Sequence, residues 1–226
     1  MCNKILCDIN VRMAVGEVHS FRVGEYAPMN RVELMGRLVY CGFDIVEATD
    51  EVVMARKVRE VVASDCPERR YGWIVKLRRV GKDGRRFNIY KLRTMYPYAE
   101  YLQKWMYEQY ALDDKGKIAN DFRITPIGRW LRRLWIDELP NFWNLLRGEM
   151  KVVGVRPLSE HYYSLYREEV QRARVKYKPG LLPPFYVDKP STLEEIQESE
   201  MRYLEACERD GVWRTDWRYF WKIVFK

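Results

Sequence analysis

Hydrophobic spacing divides the chain into stretches of different period. Val32, Leu34, Met35, Leu38 and Val39 recur at helical spacing between Arg31 and Cys41, and Gly42 is placed to end that helix. Phe43 to Ala48 reads as a strand, Thr49-Asp50 as a turn and Val52 to Val58 as a second strand. Residues 1–30 show no convincing period, and the polar run from Ser64 to Arg70 reads as a linker. The pattern predicts a small α-β-β appendage over residues 1–65, too small to bury much surface alone, and a second domain over residues 66–226.

From Trp73 the signals sharpen. Trp73 to Val80 and Phe87 to Arg93 are strand-like, and the Asp-Gly within Gly81-Lys-Asp-Gly84 is a hairpin signal. A helix is expected after Pro97. Thr125 and Pro126 then open another, with Ile127, Trp130, Leu131 and Leu134 as its apolar stripe. Asp137-Glu-Leu-Pro140 follows, and Leu139, Phe142, Trp143 and Leu146 resume helical spacing until Gly148: helix, acidic corner, helix. Lys151 to Pro157 predicts a short strand running into a turn, and Glu160 to Arg174 a helix. The three prolines of Lys178 to Pro184 argue against regular structure and predict an ordered or ligand-facing loop. Ser191-Thr-Leu-Glu194 reads as a capping box. The aromatic, basic stretch from Trp217 to Lys226 suits a helix lying on a membrane surface, or one docking its aromatics on the core. The fold class expected is α+β: a helix-rich domain with a short hairpin or sheet and amphipathic helices.

Charge adds a partner class. The 226 residues carry 40 Lys+Arg against 32 Asp+Glu, a net charge of +8. Ten of those bases but only two acids, Glu68 and Asp83, fall between Pro67 and Arg93. Such a field calls for nucleotide phosphates, anionic headgroups or nucleic acid. The scattered, odd set Cys2, Cys7, Cys41, Cys66 and Cys207 predicts neither a disulfide framework nor a zinc pattern. No apolar run approaches the ~18 residues of a spanning helix.

Much standard chemistry is excluded. His19 and His161 are the only histidines, and there is no HExxH, GxSxG, Walker or dinucleotide-binding pattern. A carboxylate pair beside arginines remains. Asp137 and Glu138 would diverge by about 100° on a regular helix; the acid-then-Pro pattern instead suggests that Asp137 caps the second helix. Arg133 would lie roughly 40° from Asp137 if the first helix continued. An ionised carboxylate, a second able to hold a divalent cation, and guanidinium groups suited to phosphate are the parts needed for phosphoryl transfer to an aspartate. The plainer reading makes Asp137 an N-cap and Glu138 a solvated neighbour.

The run from Asp121 to Pro157, the segment Arg79-Val-Gly-Lys-Asp-Gly-Arg-Arg-Phe-Asn-Ile-Tyr-Lys-Leu-Arg-Thr-Met95, and Lys178-Pro-Gly180 resemble, in order and spacing, the bacterial sugar transferases that act on polyprenyl phosphate, the monotopic phosphoglycosyl transferases. The resemblance implies that Asp137 attacks the sugar-bearing phosphate of a UDP-sugar, releasing UMP, and that the phospho-sugar passes to polyprenyl phosphate in initiating surface-polysaccharide synthesis. It implies Mg²⁺ held by Glu138, and phosphate or nucleotide contacts from Lys91, Arg93, Arg132, Arg133, Arg156, Pro157, Pro179 and Gly180. It also places the protein at the cytoplasmic face of the bacterial inner membrane, peripheral or monotopic. Val155 stands where the family has the first proline of Pro-Arg-Pro, and no counterpart of the family's N-terminal re-entrant helix is visible in this sequence. Two rivals remain: an inactive relative serving as a membrane scaffold, and a nucleic-acid module stacking bases on Trp73, Phe87 and Tyr90. The latter leaves the acidic corner unexplained, so nucleic acid is not expected as a partner.

Overall fold

Helix α2 (Arg31–Tyr40) forms where the spacing predicts it. The Glu33 N–H donates to the Asn30 side chain at its start, and Gly42 takes φ +92° just beyond Cys41 at its end. The computed structural model describes residues 1–109 and 121–225, which divide into two units. The first comprises residues 1–72, 94–109 and 121–130; the second comprises residues 73–93 and 131–225.

In the first unit the aperiodic N-terminus is structured. It forms α1 (Cys2–Arg12) and β1 (Val18–Arg22), which pairs with β3 (Val52–Lys57). With β2 (Phe43–Ala48) on its other side, β3 is the centre of an antiparallel sheet ordered β1-β3-β2. The observed order is therefore α-β-α-β-β. The extra helix escaped the pattern because its buried face carries Asn3, Cys7 and Asn10, which are polar or small. Leu6, Leu34 and Leu38 are fully enclosed between helices and sheet, each worth about 1.5–3 kcal/mol of transfer energy.

The run read as a linker is packed. Cys66 is buried, and Glu68 accepts from Arg37 Nη1 at 2.6 Å and from the Asn3 N–H at 2.6 Å. Cys7 and Cys66 form a disulfide, which corrects the reading that the cysteines do not pair. The helix expected after Pro97 is α3 (Gln103–Gln109). The next, α4 (Pro126–Arg133), starts on its expected cap, the Gly128 N–H donating to Thr125 Oγ1 at 2.8 Å. Its stripe is not core: Ile127 is 70% and Trp130 57% exposed.

The second unit is built on the predicted hairpin, β4 (Ile74–Val80) and β5 (Arg86–Leu92), turned through Asp83 (φ +56°) and Gly84 (φ +70°). The acidic corner forms a short 3₁₀ helix over Ile136–Asn141, followed by α5 (Phe142–Leu146). The predicted strand after Gly148 is β6 (Lys151–Val153). The helix expected over Glu160–Arg174 is broken into α6 (Glu160–Ser164) and α7 (Glu168–Arg174) around buried Tyr166.

Within the proline-rich loop Gly180–Leu182 forms β7, parallel to β6. The prolines flank the strand, where their missing N–H groups are not needed. After α8 (Phe185–Asp188), helix α9 (Leu193–Asp210) is capped one residue later than expected: the Glu195 N–H donates to Thr192. The last helix, α10 (Val212–Val224), packs Tyr219 and Phe220 against Val153, Val155 and Tyr203. Trp213, Trp217 and Phe225 stay exposed. Short sheets with a majority of helices make this an α+β fold.

Candidate functional site

Two asparagines fix the acidic corner to the hairpin. Asn141 accepts from the Tyr90 backbone N–H at 3.1 Å, and Asn144 donates to the Asn88 carbonyl and to Glu149, both at 2.7 Å. Both are buried, at 3% and 0% exposure. Their Asn-x-x-Asn spacing on an otherwise aromatic segment was the available signal for a buried polar seam. The corner itself begins on Trp135, which holds φ +60°, ψ +15°. A bulky residue there is strained by roughly 1–3 kcal/mol. That turn ends α4 at Arg133 before it reaches Asp137, so the 40° relationship does not exist. Asp137 does not cap α5 either; Asn141 occupies that position, with no side-chain cap bond.

An open cleft lies on this seam. Lys91 and Ile89 of β5, Arg79 of β4, Glu138 and Asn141 of the corner, Arg156-Pro157 after β6, and Gly180-Leu181 of β7 wall it, with Tyr186 behind. Lys91 Nζ meets Glu138 Oε1 at 2.5 Å. Asp137, one residue away, is 8% exposed and is not among the lining side chains. No donor among the described residues pairs with its carboxylate.

The electrostatics favour an anion. Burial, and next the charge of Arg156, push the Arg79 guanidinium below its ordinary pKa. Arg79 and Arg156 thus share one cleft with Lys91, and Glu138, its only carboxylate among the described residues, is already bonded to that lysine. A bound phosphate would relieve that repulsion. Burial also raises the Tyr186 phenol, so it faces the cleft as a neutral hydroxyl.

Gly180 contributes by lacking a side chain. A Cβ there would stand 2.1 Å from the Gly154 backbone nitrogen, so only glycine lets β7 close against the strand that leads to Arg156. The Gly180 N–H donates to the Val155 carbonyl at 2.9 Å. Val155, at the position of the family's usual proline, is 2% exposed among the packed groups of β6 and α9.

The model of the family described as bacterial sugar transferase matches residues 41–225. The chain belongs to the bacterial sugar transferase family. The chain is 35% identical over 130 residues to the galactosyl transferase CpsE of Streptococcus agalactiae, covering 56% of this chain and 29% of that protein. It is 27% identical over 212 residues to the UDP-glucose:undecaprenyl-phosphate glucose-1-phosphate transferase of Klebsiella pneumoniae, covering 88% and 42%. With the uncharacterized sugar transferase EpsL of Bacillus subtilis it shares 39% identity over 104 residues, 46% of this chain and 45% of that one. The chain thus spans less than half the length of each of these relatives.

Of the residues the sequence nominated, the cleft gathers Lys91, Glu138, Arg156, Pro157 and Gly180. Pro179 lines a smaller depression beside Tyr177 instead. Arg93 is half-buried, Arg132 and Arg133 are exposed, and none of the three lines the cleft. Arg79 was missed as a site residue because it was one base among ten; only the fold singles it out. The carboxylate chemistry suits Mg²⁺, which takes one or two carboxylates and fills its remaining positions from phosphate and water. Glu138 fits as such a single ligand, since Lys91 occupies only its Oε1.

Proposed function

We propose that this bacterial sugar transferase moves a sugar-1-phosphate from a UDP-sugar to polyprenyl phosphate. Asp137 Oδ attacks the sugar-bearing phosphorus. An aspartyl–phosphorus bond forms, the phosphoanhydride bond breaks, and UMP leaves with its electron pair. An oxygen of polyprenyl phosphate then attacks the same phosphorus and regenerates the carboxylate, giving the polyprenyl-diphospho-sugar.

The observation that carries this reading is the contrast between the two carboxylates. Glu138 shares one oxygen with Lys91, whereas Asp137 has no partner among the described residues and adjoins, through Glu138, a cleft walled by Arg79 and Arg156. Among the described residues both Asp137 oxygens are thus unshared, whereas Lys91 takes one of Glu138's. Arg79, Lys91 and Arg156 would grip the diphosphate, and β7 would hold the wall closed behind it. Mg²⁺ held at Glu138 would supply neutralisation of the diphosphate charge.

The membrane surface is the place proposed for this exchange, because the acceptor is a lipid. Leu134, Trp135, Leu139, Phe142, Trp143 and Leu146, flanking the acidic pair, are each more than half exposed. No helix among the described residues is long and apolar enough to cross a bilayer.

The test is UMP release from a UDP-sugar panel with polyprenyl phosphate in detergent micelles, with and without Mg²⁺. Asp137→Asn should abolish release and the trapped phospho-sugar adduct while leaving the circular dichroism spectrum unchanged. Full turnover by Asp137→Asn would refute the nucleophile. Loss of the adduct only in Glu138→Gln would transfer that role to Glu138.

A further inference from the structure

Three cysteine sulfurs converge inside the first unit. Cys7 comes from the buried face of α1, Cys41 from the C-terminal cap of α2, and Cys66 from the segment after β3. Their exposures are 0%, 0% and 1%. The three Sγ atoms lie within 4.8 Å of one another, with Cys41 3.6 Å from Cys66. None of the three lines the transferase cleft.

The backbones that carry them are held without the sulfurs. Asn10 of α1 donates to the Cys41 carbonyl at 3.0 Å and to the Arg59 carbonyl at 3.1 Å, and accepts from the Val61 N–H at 3.2 Å. One buried amide thus ties together the three segments whose thiols meet. Such a site is preorganised, with its ligands on separate elements brought to a common point.

The size of the cluster selects the ligand. Metal–sulfur bonds of about 2.3 Å at tetrahedral angles set neighbouring thiolates about 3.8 Å apart. An iron–sulfur cluster, which puts several atoms between its cysteines, needs wider spacing. Soft thiolates favour zinc over hard cations.

We propose that the reduced chain binds one Zn²⁺ through the thiolates of Cys7, Cys41 and Cys66. In the structure Cys7 and Cys66 are joined as a disulfide and Cys41 is a free thiol, which is the oxidised form. A dithiol reductant supplies two electrons and two protons to that disulfide and becomes a disulfide itself. Zn²⁺ then displaces the three thiol protons into solvent. Zinc and the disulfide are therefore alternative clasps on one core.

The full chain, reduced with a dithiol and freed of metal, is titrated with Co²⁺ and then Zn²⁺. The expected result is a strong thiolate-to-cobalt absorption with visible tetrahedral bands, abolished by one equivalent of Zn²⁺, and one zinc per chain by elemental analysis. Cys41→Ser should weaken cobalt affinity at least tenfold, whereas Cys207→Ser should leave it unchanged. Should Cys41→Ser not fold, thiol counting on the unsubstituted chain decides: zinc should shield at least three thiols that a chelator exposes. A reduced chain that takes up neither metal overturns the proposal. So does uptake that Cys41→Ser leaves intact, or a thiol count that the chelator does not change.

Discussion

Arg174 donates through Nη2 to the backbone carbonyl of Arg156, the residue whose side chain walls the cleft. Its Nη1 is bonded to Glu200, and the two side chains are 5% and 0% exposed. Burial holds the Arg174 pKa down to about 10, still far enough above neutral to keep the charge. A buried ion pair on α7 and α9 therefore sets the path of a loop that begins on β6.

Breaking this pair on one side should be costly. Glu200→Leu leaves a buried guanidinium uncompensated and should lower unfolding free energy by about 3–5 kcal/mol. Replacing both partners with apolar residues, Arg174→Met with Glu200→Leu, should recover most of that loss. Urea denaturation followed by tryptophan fluorescence measures both, and equal destabilisation of the single and double variants would contradict the account.

Arg79 should behave in the opposite sense. It sits half-buried beside another cation, so Arg79→Gln should leave folding stability unchanged or slightly raised. The same change removes a charge-assisted phosphate contact worth about 1.5–3 kcal/mol, or roughly 10- to 150-fold in kcat/KM. Thermal melting and UMP-release kinetics on the same sample separate the two effects.

Gly180→Ala is a small change with a large expected consequence. The added methyl group meets the backbone of Gly154 rather than a flexible side chain, so β6 and β7 must part. Hydrogen exchange should show faster loss of the Gly180 and Gly154 amides, which donate to Val155 and Leu182, together with weaker nucleotide binding. Unchanged protection would mean the strands tolerate the shift.

Acid stability should report on Glu68. Burial raises its carboxyl, but hydrogen bonds from Arg37 and the Asn3 N–H outweigh that and lower it from 4.5 to about 2. The unfolded chain therefore takes up this proton before the folded one does. The contribution is fully present above about pH 4.5 and fades as pH falls toward 2. With the side chain 37% exposed, solvent screening keeps it modest. Glu68→Gln should lower stability at neutral pH and flatten its dependence across that window. An acid-unfolding curve parallel to that of the unsubstituted chain would contradict the assignment.

Local pattern determined a good deal of this protein. Spacing, caps and turn residues placed α2, the β4–β5 hairpin, the Thr125 start of α4 and the acidic corner, because each depends on neighbours only a few residues away. The same motifs carried the family resemblance. The tertiary structure alone decided the rest. Arg79, Glu138 and Arg156 come from distant points on the chain, and no short-range period could report that they share a cleft. Nor could spacing say that the aromatic stripe at Ile127 and Trp130 stays exposed, since amphipathic periodicity looks the same whether the apolar face meets a core or something outside the chain. Cys7, Cys41 and Cys66 looked scattered because they follow no local repeat. Only packing three segments around Asn10 brings their sulfurs together.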